Sequence, residues 1–367
     1  FPQGWLLYTN LDSWGISLIF LLAGASSKFA LETQSAGAYV KARVLRLLAP
    51  MLLVAICFTP IDSYFLLLVN PKLISVSPRP IADPERLRDF GAFMLQYWAI
   101  LFTTGLPIVV RNVLAHLWFV PRLLVVSLVC LPLLLALRER WPRWMARVAA
   151  SRLPLELLVV GAGLLPAALM MWLQLGWLSQ LTTGWPLRDD WTQFFLDLVM
   201  FVFGYLLYSH LPLLDVVRRL AYVALGLAGL TWASLLIIRW NGLGPANHLS
   251  ASYAAFALAQ GLAIWLLTLG VLGTALRLLT MAPAWQRYLV VATFPVYVLH
   301  LPILFAAAYY LQSLTLTWPF TWALITVVTF GGAFALYEYV VRRTPVTRLA
   351  FGLEAAPSVA APAKTYG

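Results

Sequence analysis

Charged side chains are scarce in this sequence of 367 residues. Asp, Glu, Lys and Arg together make up 11%, whereas a soluble globular protein carries about 25%. Hydrophobic residues reach 62%. Such a composition excludes a disordered chain, a fibrous protein and an ordinary cytosolic enzyme. It predicts a polytopic membrane protein with the lipid bilayer as its surroundings.

Acidic residues, cysteines and histidines are rarer still. The 14 acidic residues oppose 25 Lys and Arg, so the formal net charge is +11, which in such a chain indicates cytoplasmic loops rather than a nucleic-acid partner. Cys57 and Cys130 lie in apolar runs and offer neither a disulfide framework nor a metal cluster. No P-loop, G-x-G-x-x-G, G-x-S-x-G or H-E-x-x-H motif occurs. We therefore expect no metal and no glycine-rich nucleotide loop.

Long apolar runs dominate what is present. A transmembrane helix needs about 20 apolar residues, and nine stretches qualify: 13–31, 47–69, 116–137, 153–175, 192–210, 220–238, 249–276, 288–311 and 318–341. Residues 70–89 are rich in proline and charge and read as a loop. Residues 90–110 are apolar but are interrupted by Gly105 and Pro107, so we expect an amphipathic surface segment in preference to a tenth span. The predicted fold is an all-α membrane helix bundle.

The basic residues are distributed unevenly between alternate loops. One set holds 17 Lys and Arg and the other holds 7. We therefore expect a protein of the inner (plasma) membrane, with the richer set of loops and the C-terminus in the cytoplasm. Nine spans then place residue 1 outside, which is unusual for a chain without a signal peptide. We expect one further helix upstream, ten in all, with residues 1–350 forming one domain and 351–367 a disordered cytoplasmic tail.

A basic cluster begins the second span. Arg43 and Arg46 are three residues apart and share a helical face, and Lys41 lies close by. Guanidinium groups match phosphate oxygens, so the cluster could hold the phosphates of a nucleotide-bearing donor. The alternative is that these residues only anchor the helix at the cytoplasmic surface.

The third span begins with the sequence HLWFVPR. His116 and Trp118 lie at its outer end, and Arg122 follows about 9 Å deeper at the rise of an α-helix. A charge at that depth is a functional hypothesis, and Trp118 could form a cation–π contact with Arg122. The alternative is that Arg122 reaches the outer surface while His116 caps a helix.

Two more buried polar positions stand out. His300, between Pro295 and Pro302, lies about 18 Å into its span and could shuttle a proton or orient a hydroxyl; the alternative is a hydrogen bond between helices. Asp197 and Asp62 could face a sugar-bearing cleft or simply reach surface water. Glu156 could pair with Arg152, and Glu338 with Arg342, four residues apart; both pairs would be structural.

Several fragments, in this order, resemble the membrane acyltransferase-3 family. SLIFLLAGASSKFAL and YVKARVLRLLAP resemble its second and third helices, HLWFVPRLL resembles its H-x-W-F-L element, and FPVYVLHLPI resembles its S-Y-P-x-Y-x-x-H element. The ending ALYEYVVRRTPVTRLAFGLE resembles the branch around glucan biosynthesis protein C. This family has a ten-helix core with both ends inside, in agreement with the expected upstream helix.

The resemblance implies an O-acyltransferase that takes an acyl group from cytoplasmic acyl-CoA to a carbohydrate hydroxyl across the membrane. It implies that Arg43 and Arg46, with Lys41, bind the donor, and that His116 and His300 are catalytic candidates. Trp118, Phe119, Arg122 and Asp197 are candidates for the acceptor side. The family's principal histidine stands in its first helix after an Arg or Lys, and residues 1–27 contain no Arg, Lys or His. We therefore expect that histidine upstream, and the chain without it to be inactive.

Two other classes of function fit the same buried polar residues. A secondary transporter or flippase for a glycan or lipid would also use nine or ten helices with internal His and Arg, although no inverted repeat is visible. A non-catalytic membrane scaffold requires the buried polar residues to be dispensable. Transfer or hydrolysis of acyl-CoA separates the enzyme from both.

Overall fold

The computed structural model describes residues 2–70, 89–104, 117, 119–151, 153–175, 191–243, 250–279, 283–314 and 316–353, with the backbone only for residues 2–13, 104, 173–175, 191 and 192. These ranges contain helices and connecting turns and no β-strand. The α-helices are α1 Pro2–Thr33, α2 Ala36–Leu53, α3 Thr59–Val69, α4 Phe90–Thr104, α5 Phe119–Val129, α6 Leu131–Ala150, α7 Leu155–Gly161, α8 Leu164–Leu175, α9 Trp191–Tyr208, α10 Leu211–Trp240, α11 Ala251–Leu278, α12 Ala284–Leu311, α13 Trp318–Leu336 and α14 Pro345–Ala350.

Among the described residues, seven helices or helix pairs are long and apolar enough to cross a membrane. They are Trp14–Thr33, Ala36–Val69, Leu155–Trp172, Leu211–Trp240, Ala251–Leu278, Ala284–Leu311 and Trp318–Val341. α5 and α6 make an eighth if this pair, bent by 52°, is one span. Gln193–Tyr208 is apolar but shorter. The predicted all-α polytopic bundle is confirmed, and each of the nine expected stretches contains apolar helix, while the number of spans stays a prediction.

Two π-helical turns interrupt long helices. Val54–Phe58 joins α2 to α3, so one helical rod runs from Ala36 to Val69, and Tyr337–Val341 extends α13. A π-turn widens the helix by one residue and often accompanies a functional site. At the first of them, the indole nitrogen of Trp98 in α4 donates a hydrogen bond of 2.8 Å to the carbonyl oxygen of Ile56. This bond attaches α4, expected as a surface segment and only 15 residues long, to the interrupted helix.

The chain forms two compact units. Unit 1 comprises Phe1–Lys41 and Arg122–Met281, and unit 2 comprises Ala42–Pro121 and Ala282–Gly367. In unit 1, α1 packs along α9, α10 packs along α11, and α8 packs on α11. In unit 2, α12 packs on α13 and on α3. The expectation of a single domain over residues 1–350 stays a prediction, because two compact units can belong to one domain.

In unit 1, α1 and α9 meet backbone to backbone. A Cβ atom on Gly24 would lie 1.8 Å from the carbonyl oxygen of Phe201, and one on Gly204 would lie 1.8 Å from that of Leu21. Small residues allow helices to approach this closely in membranes, where close packing drives association. The small-residue element LAGASS around Gly24 therefore acts as a helix-packing surface.

Candidate functional site

Arg122 and Asp197 form a buried ion pair in unit 1. Arg122 lies on α5 and Asp197 on α9, and the distance from Arg122 Nη1 to Asp197 Oδ2 is 3.2 Å. The exposed fractions of the two side chains are 3% and 0%. Gln193, one turn before Asp197, donates a hydrogen bond of 2.7 Å to its Oδ1. The carboxylate thus accepts hydrogen bonds from a side chain of α5 and a side chain of α9. Such partners offset the cost of burying a charge.

This geometry corrects two sequence-based alternatives. Arg122 does not reach the outer surface, and Asp197 does not reach surface water, because both side chains are buried. Asp62, on α3 of unit 2, is also buried, with an exposed fraction of 2%. Ionisable groups at apolar depth are expensive to bury and are kept mainly where they pair or function.

His300 lies within an aromatic group of unit 2. Its ring centroid is 5.3 Å from that of Tyr297, and Tyr297 in turn packs edge-on against Phe119 at 5.7 Å. Phe119 begins α5 and the other two lie one turn apart on α12. The structure therefore brings together two residues that the sequence placed in separate elements, HLWF and YVLH.

A backbone hydrogen bond defines the chemistry of His300. Its Nδ1 hydrogen-bonds the carbonyl oxygen of Tyr297. A carbonyl oxygen only accepts, so Nδ1 carries the hydrogen of the neutral ring, and the lone pair is on Nε2. His300 and Tyr297 line a cavity of about 390 Å³ together with apolar side chains of α12 and α13. The neutral ring can thus take up a proton through Nε2.

The basic cluster of α2 lies beside the C-terminal segment of unit 2. Lys41 and Arg46 are exposed and Arg43 is half-buried. Gly352, at a left-handed φ of +69° after α14, packs so tightly that a Cβ atom would be 2.8 Å from the carbonyl oxygen of Arg46. The ring of Phe351 also lies 6.0 Å from that of Phe58. The segment that carries Arg348 is therefore held against α2 at the cluster.

Several other expectations have clear outcomes. Glu338 pairs with Arg342 as predicted, at 2.5 Å. Glu156 pairs instead with Arg219, at 2.7 Å, and Arg152 lies outside the described residues. His116 and Trp118 also lie outside them, so the expected cation–π contact with Arg122 stays a prediction.

Sequence reasoning missed two residues of these groups. Tyr297 is visible in the sequence only as the residue before the V-L-H of a motif, and Gln193 is not among the candidate residues named above. A signal for Gln193 existed, since it lies four residues before Asp197 and so shares its helical face. Tyr297 contributes its carbonyl group, which no residue type reveals.

Within the described ranges there is no group of three or more His, Cys, Asp or Glu side chains placed to hold a metal ion. Unit 2 holds a histidine able to accept a proton and the two arginines of the basic cluster, and unit 1 holds a buried ion pair. A proton acceptor and a group of cations are components that group-transfer chemistry uses.

Comparison with known proteins identifies the family. No curated protein and no solved structure matches the chain. The model of the acyltransferase-3 family, described as an acyltransferase domain, matches residues 1–338, which is most of the chain. The chain therefore belongs to the acyltransferase-3 family and is an acyltransferase of the membrane type that transfers groups other than aminoacyl groups.

Proposed function

We propose that this protein is a membrane-bound O-acyltransferase of the inner (plasma) membrane. It takes an acyl group from acyl-CoA at the cytoplasmic face and transfers it to a carbohydrate hydroxyl on the opposite side. The family supports the class of reaction. The donor, the acceptor and the direction rest on the sequence resemblance and on the uneven distribution of basic residues.

The donor would bind at the basic cluster of α2. Arg43 and Arg46 share a helical face, and charge-assisted hydrogen bonds from guanidinium groups suit the phosphates of CoA. Lys41 adds a third cation on the same helix. The C-terminal segment, held at Arg46, brings the further cation Arg348 to the same end of unit 2. Both segments belong to the set of basic residues expected in the cytoplasm, where CoA is found.

The observation that carries the catalytic assignment is the hydrogen bond from His300 Nδ1 to the Tyr297 carbonyl. It orients the ring and directs proton uptake to Nε2. In the reaction, Nε2 takes the proton from the acceptor hydroxyl as the oxygen attacks the thioester carbonyl carbon. The tetrahedral intermediate then collapses, the carbon–sulfur bond breaks, and the leaving sulfur takes the proton to give free CoA. His116 is the second candidate for this role.

The acceptor would be held by the segment at the start of α5. Trp118 carries an aromatic ring of a type suited to the face of a sugar ring. The ring of Phe119, only 6% exposed, packs against Tyr297 and would hold the segment in place. Arg122 and Asp197 are too deeply buried to meet a carbohydrate in this conformation. We assign them the positioning of α5, because their ion pair attaches the helix to α9 three residues after Phe119.

The test is acyl transfer by membranes that contain the full-length protein as the cell makes it, supplied with isotopically labelled acyl-CoA. Mass analysis follows the label in carbohydrate, and a thiol assay follows free CoA. The change of His300 to Ala should abolish incorporation of label while leaving CoA affinity unchanged. Tyr297→Phe is the matched control, since it keeps the backbone carbonyl that holds the histidine and should retain most activity. Full activity in His300→Ala would refute the catalytic assignment.

The donor site has a separate test. The double change Arg43→Ala, Arg46→Ala should weaken CoA binding by on the order of 3 kcal/mol, more than a hundredfold, because two charge-assisted contacts are lost. The control is Arg287→Ala, an exposed basic residue of unit 2 outside the cluster, which should leave the dissociation constant unchanged. Calorimetry on the folded protein measures both. Equal affinities in all three proteins would make the cluster a membrane anchor only.

A further inference from the structure

Unit 1 contains two adjoining cavities that the acyl-transfer mechanism does not use. One is polar, about 260 Å³, and lies among Lys28, Glu32, Arg138 and Trp141. The other is apolar, about 410 Å³, and is lined by Trp141 and side chains of α7, α8, α9, α10 and α11. Trp141 lines both, so a charged recess and an apolar groove lie on either side of one indole ring. A binding site for an amphiphile has this arrangement.

The polar cavity carries an excess of positive charge. Lys28 pairs with Glu32 at 3.1 Å, which balances one cation. Among the described residues, no carboxylate lies within ion-pair distance of Arg138, whose side chain is exposed. Lys28 and Arg138 also belong to the basic set expected in the cytoplasm, so in that topology the cavity would face the headgroups of the cytoplasmic leaflet. An anionic group fits the remaining charge.

Trp141 supplies a second and independent sign of a ligand. Its indole nitrogen is buried, and it has no hydrogen-bond acceptor among the residues that the structure describes. A buried N–H without an acceptor is costly. In a phospholipid, the phosphate and ester oxygens lie where the headgroup joins the acyl chains. The N–H of Trp141 lies at the corresponding place, between the polar cavity and the apolar one.

The apolar groove opens on the flank of unit 1. Leu157 and Leu165, which line it, are 61% and 52% exposed. The break between α7 and α8 shapes its wall: the indole nitrogen of Trp265 donates a hydrogen bond of 3.1 Å to the carbonyl oxygen of Val159. The volume lies within the range of about 300–1,000 Å³ that is usual for ligand sites. Exposed leucines around a groove in a membrane protein suit an acyl chain.

We propose that these two cavities bind one anionic glycerophospholipid from the cytoplasmic leaflet, with its phosphodiester at Arg138 and Trp141 and an acyl chain in the groove. The net charge of the polar cavity favours an anionic headgroup over a zwitterionic one. The lipid would hold together α1, α6 and α9, which line the polar cavity.

The test measures lipid binding to the purified protein by native mass spectrometry. The probes are dioleoyl phosphatidylglycerol, dioleoyl phosphatidylethanolamine, glycerol phosphate and CoA. We expect phosphatidylglycerol to bind most tightly. Arg138→Ala should weaken its binding by about tenfold, since one charge-assisted contact is lost. Trp141→Phe, which keeps an aromatic ring but removes the N–H, should weaken it too.

Matched controls separate this site from general attraction to anionic lipid. Arg140→Ala removes an exposed charge two residues from Arg138 that lines neither cavity, and it should change nothing. A Cβ atom on Gly161 meets no atom within 4 Å, so Gly161→Leu should fill the groove without a backbone clash and weaken phosphatidylglycerol binding. Gly226→Leu, equally open but outside the groove, should not.

Three results would overturn the proposal. Equal losses in Arg138→Ala and Arg140→Ala would indicate unspecific charge. Binding of glycerol phosphate as tight as that of the lipid would indicate a site for a free phosphate compound. Displacement of the lipid by CoA would assign the cavity to the acyl donor.

Discussion

Truncation of Asp197 to Ala should destabilise the protein strongly. The substitution leaves the Arg122 guanidinium, only 3% exposed, without the carboxylate 3.2 Å away. Removal of one partner from a buried pair costs about 3–5 kcal/mol, mainly because the remaining charge is not compensated. Gln193 also loses the acceptor of its 2.7 Å hydrogen bond. The free energy of unfolding in mixed micelles, measured by denaturant titration, should fall by that amount.

A second ion pair of unit 1 is the matched control. Arg219 and Glu156 lie closer together, at 2.7 Å, but their side chains are 66% and 43% exposed. Exposed pairs contribute about 0.2–1 kcal/mol, because water and salt screen the charges. Glu156→Ala should therefore cost far less than Asp197→Ala, even though its distance is shorter. The order of the two losses of stability is therefore set by the burial of the ion pairs and not by their distances.

The double variant Arg122→Met, Asp197→Leu removes both charges and should recover most of the lost stability. If the pair positions α5 for catalysis, the double variant will be stable yet slow in acyl transfer. Equal stability of Asp197→Ala and the wild type would refute the reasoning, since Arg122 would then have reached water. Costs that simply add in the double variant would show that the two groups do not interact.

Two further predictions concern packing and topology. Gly24→Ala should lower the free energy of unfolding by about 1–3 kcal/mol or more, because the new Cβ would lie 1.8 Å from a carbonyl oxygen of α9. Gly15→Ala, whose Cβ meets no atom within 4 Å, should not lower it. Denaturant titrations compare the two variants, and equal values would contradict the contact between α1 and α9. In protein without its native cysteines, a membrane-impermeant thiol reagent added from outside should label a cysteine at Asn241 but not one at Arg140, both exposed positions; the reverse pattern would invert the orientation.

The helices could be predicted from the sequence because their signal is local. An apolar run of about 20 residues has few alternatives to a membrane helix. The expected stretches 288–311 and 318–341 correspond to α12, which ends at Leu311, and α13, which begins at Trp318. The start of α2 was harder. The first turns contain basic residues, so a hydropathy criterion does not include them in the apolar stretch. The helix begins at Ala36, where the Ser35 hydroxyl accepts a hydrogen bond of 3.3 Å from the Ala38 N–H.

The partners within the candidate site could not be predicted, because they depend on tertiary packing. Arg122 and Asp197 are 75 residues apart and were suspected separately, on the ground that charge at apolar depth requires a reason. The sequence could not show that the two charges compensate each other. Likewise, the orientation of His300 comes from a backbone carbonyl. The family resemblance, by contrast, rested on ordered short motifs and is confirmed.

The most direct test of the central claim uses inverted membrane vesicles, whose outer surface is the cytoplasmic face. Labelled acyl-CoA is added outside, and acyl label on carbohydrate enclosed in the lumen is measured after the outer surface is stripped. We expect lumenal label that disappears in His300→Ala and falls sharply in the double variant Arg43→Ala, Arg46→Ala. Label confined to the outer face, or lumenal label that both variants retain, would contradict it.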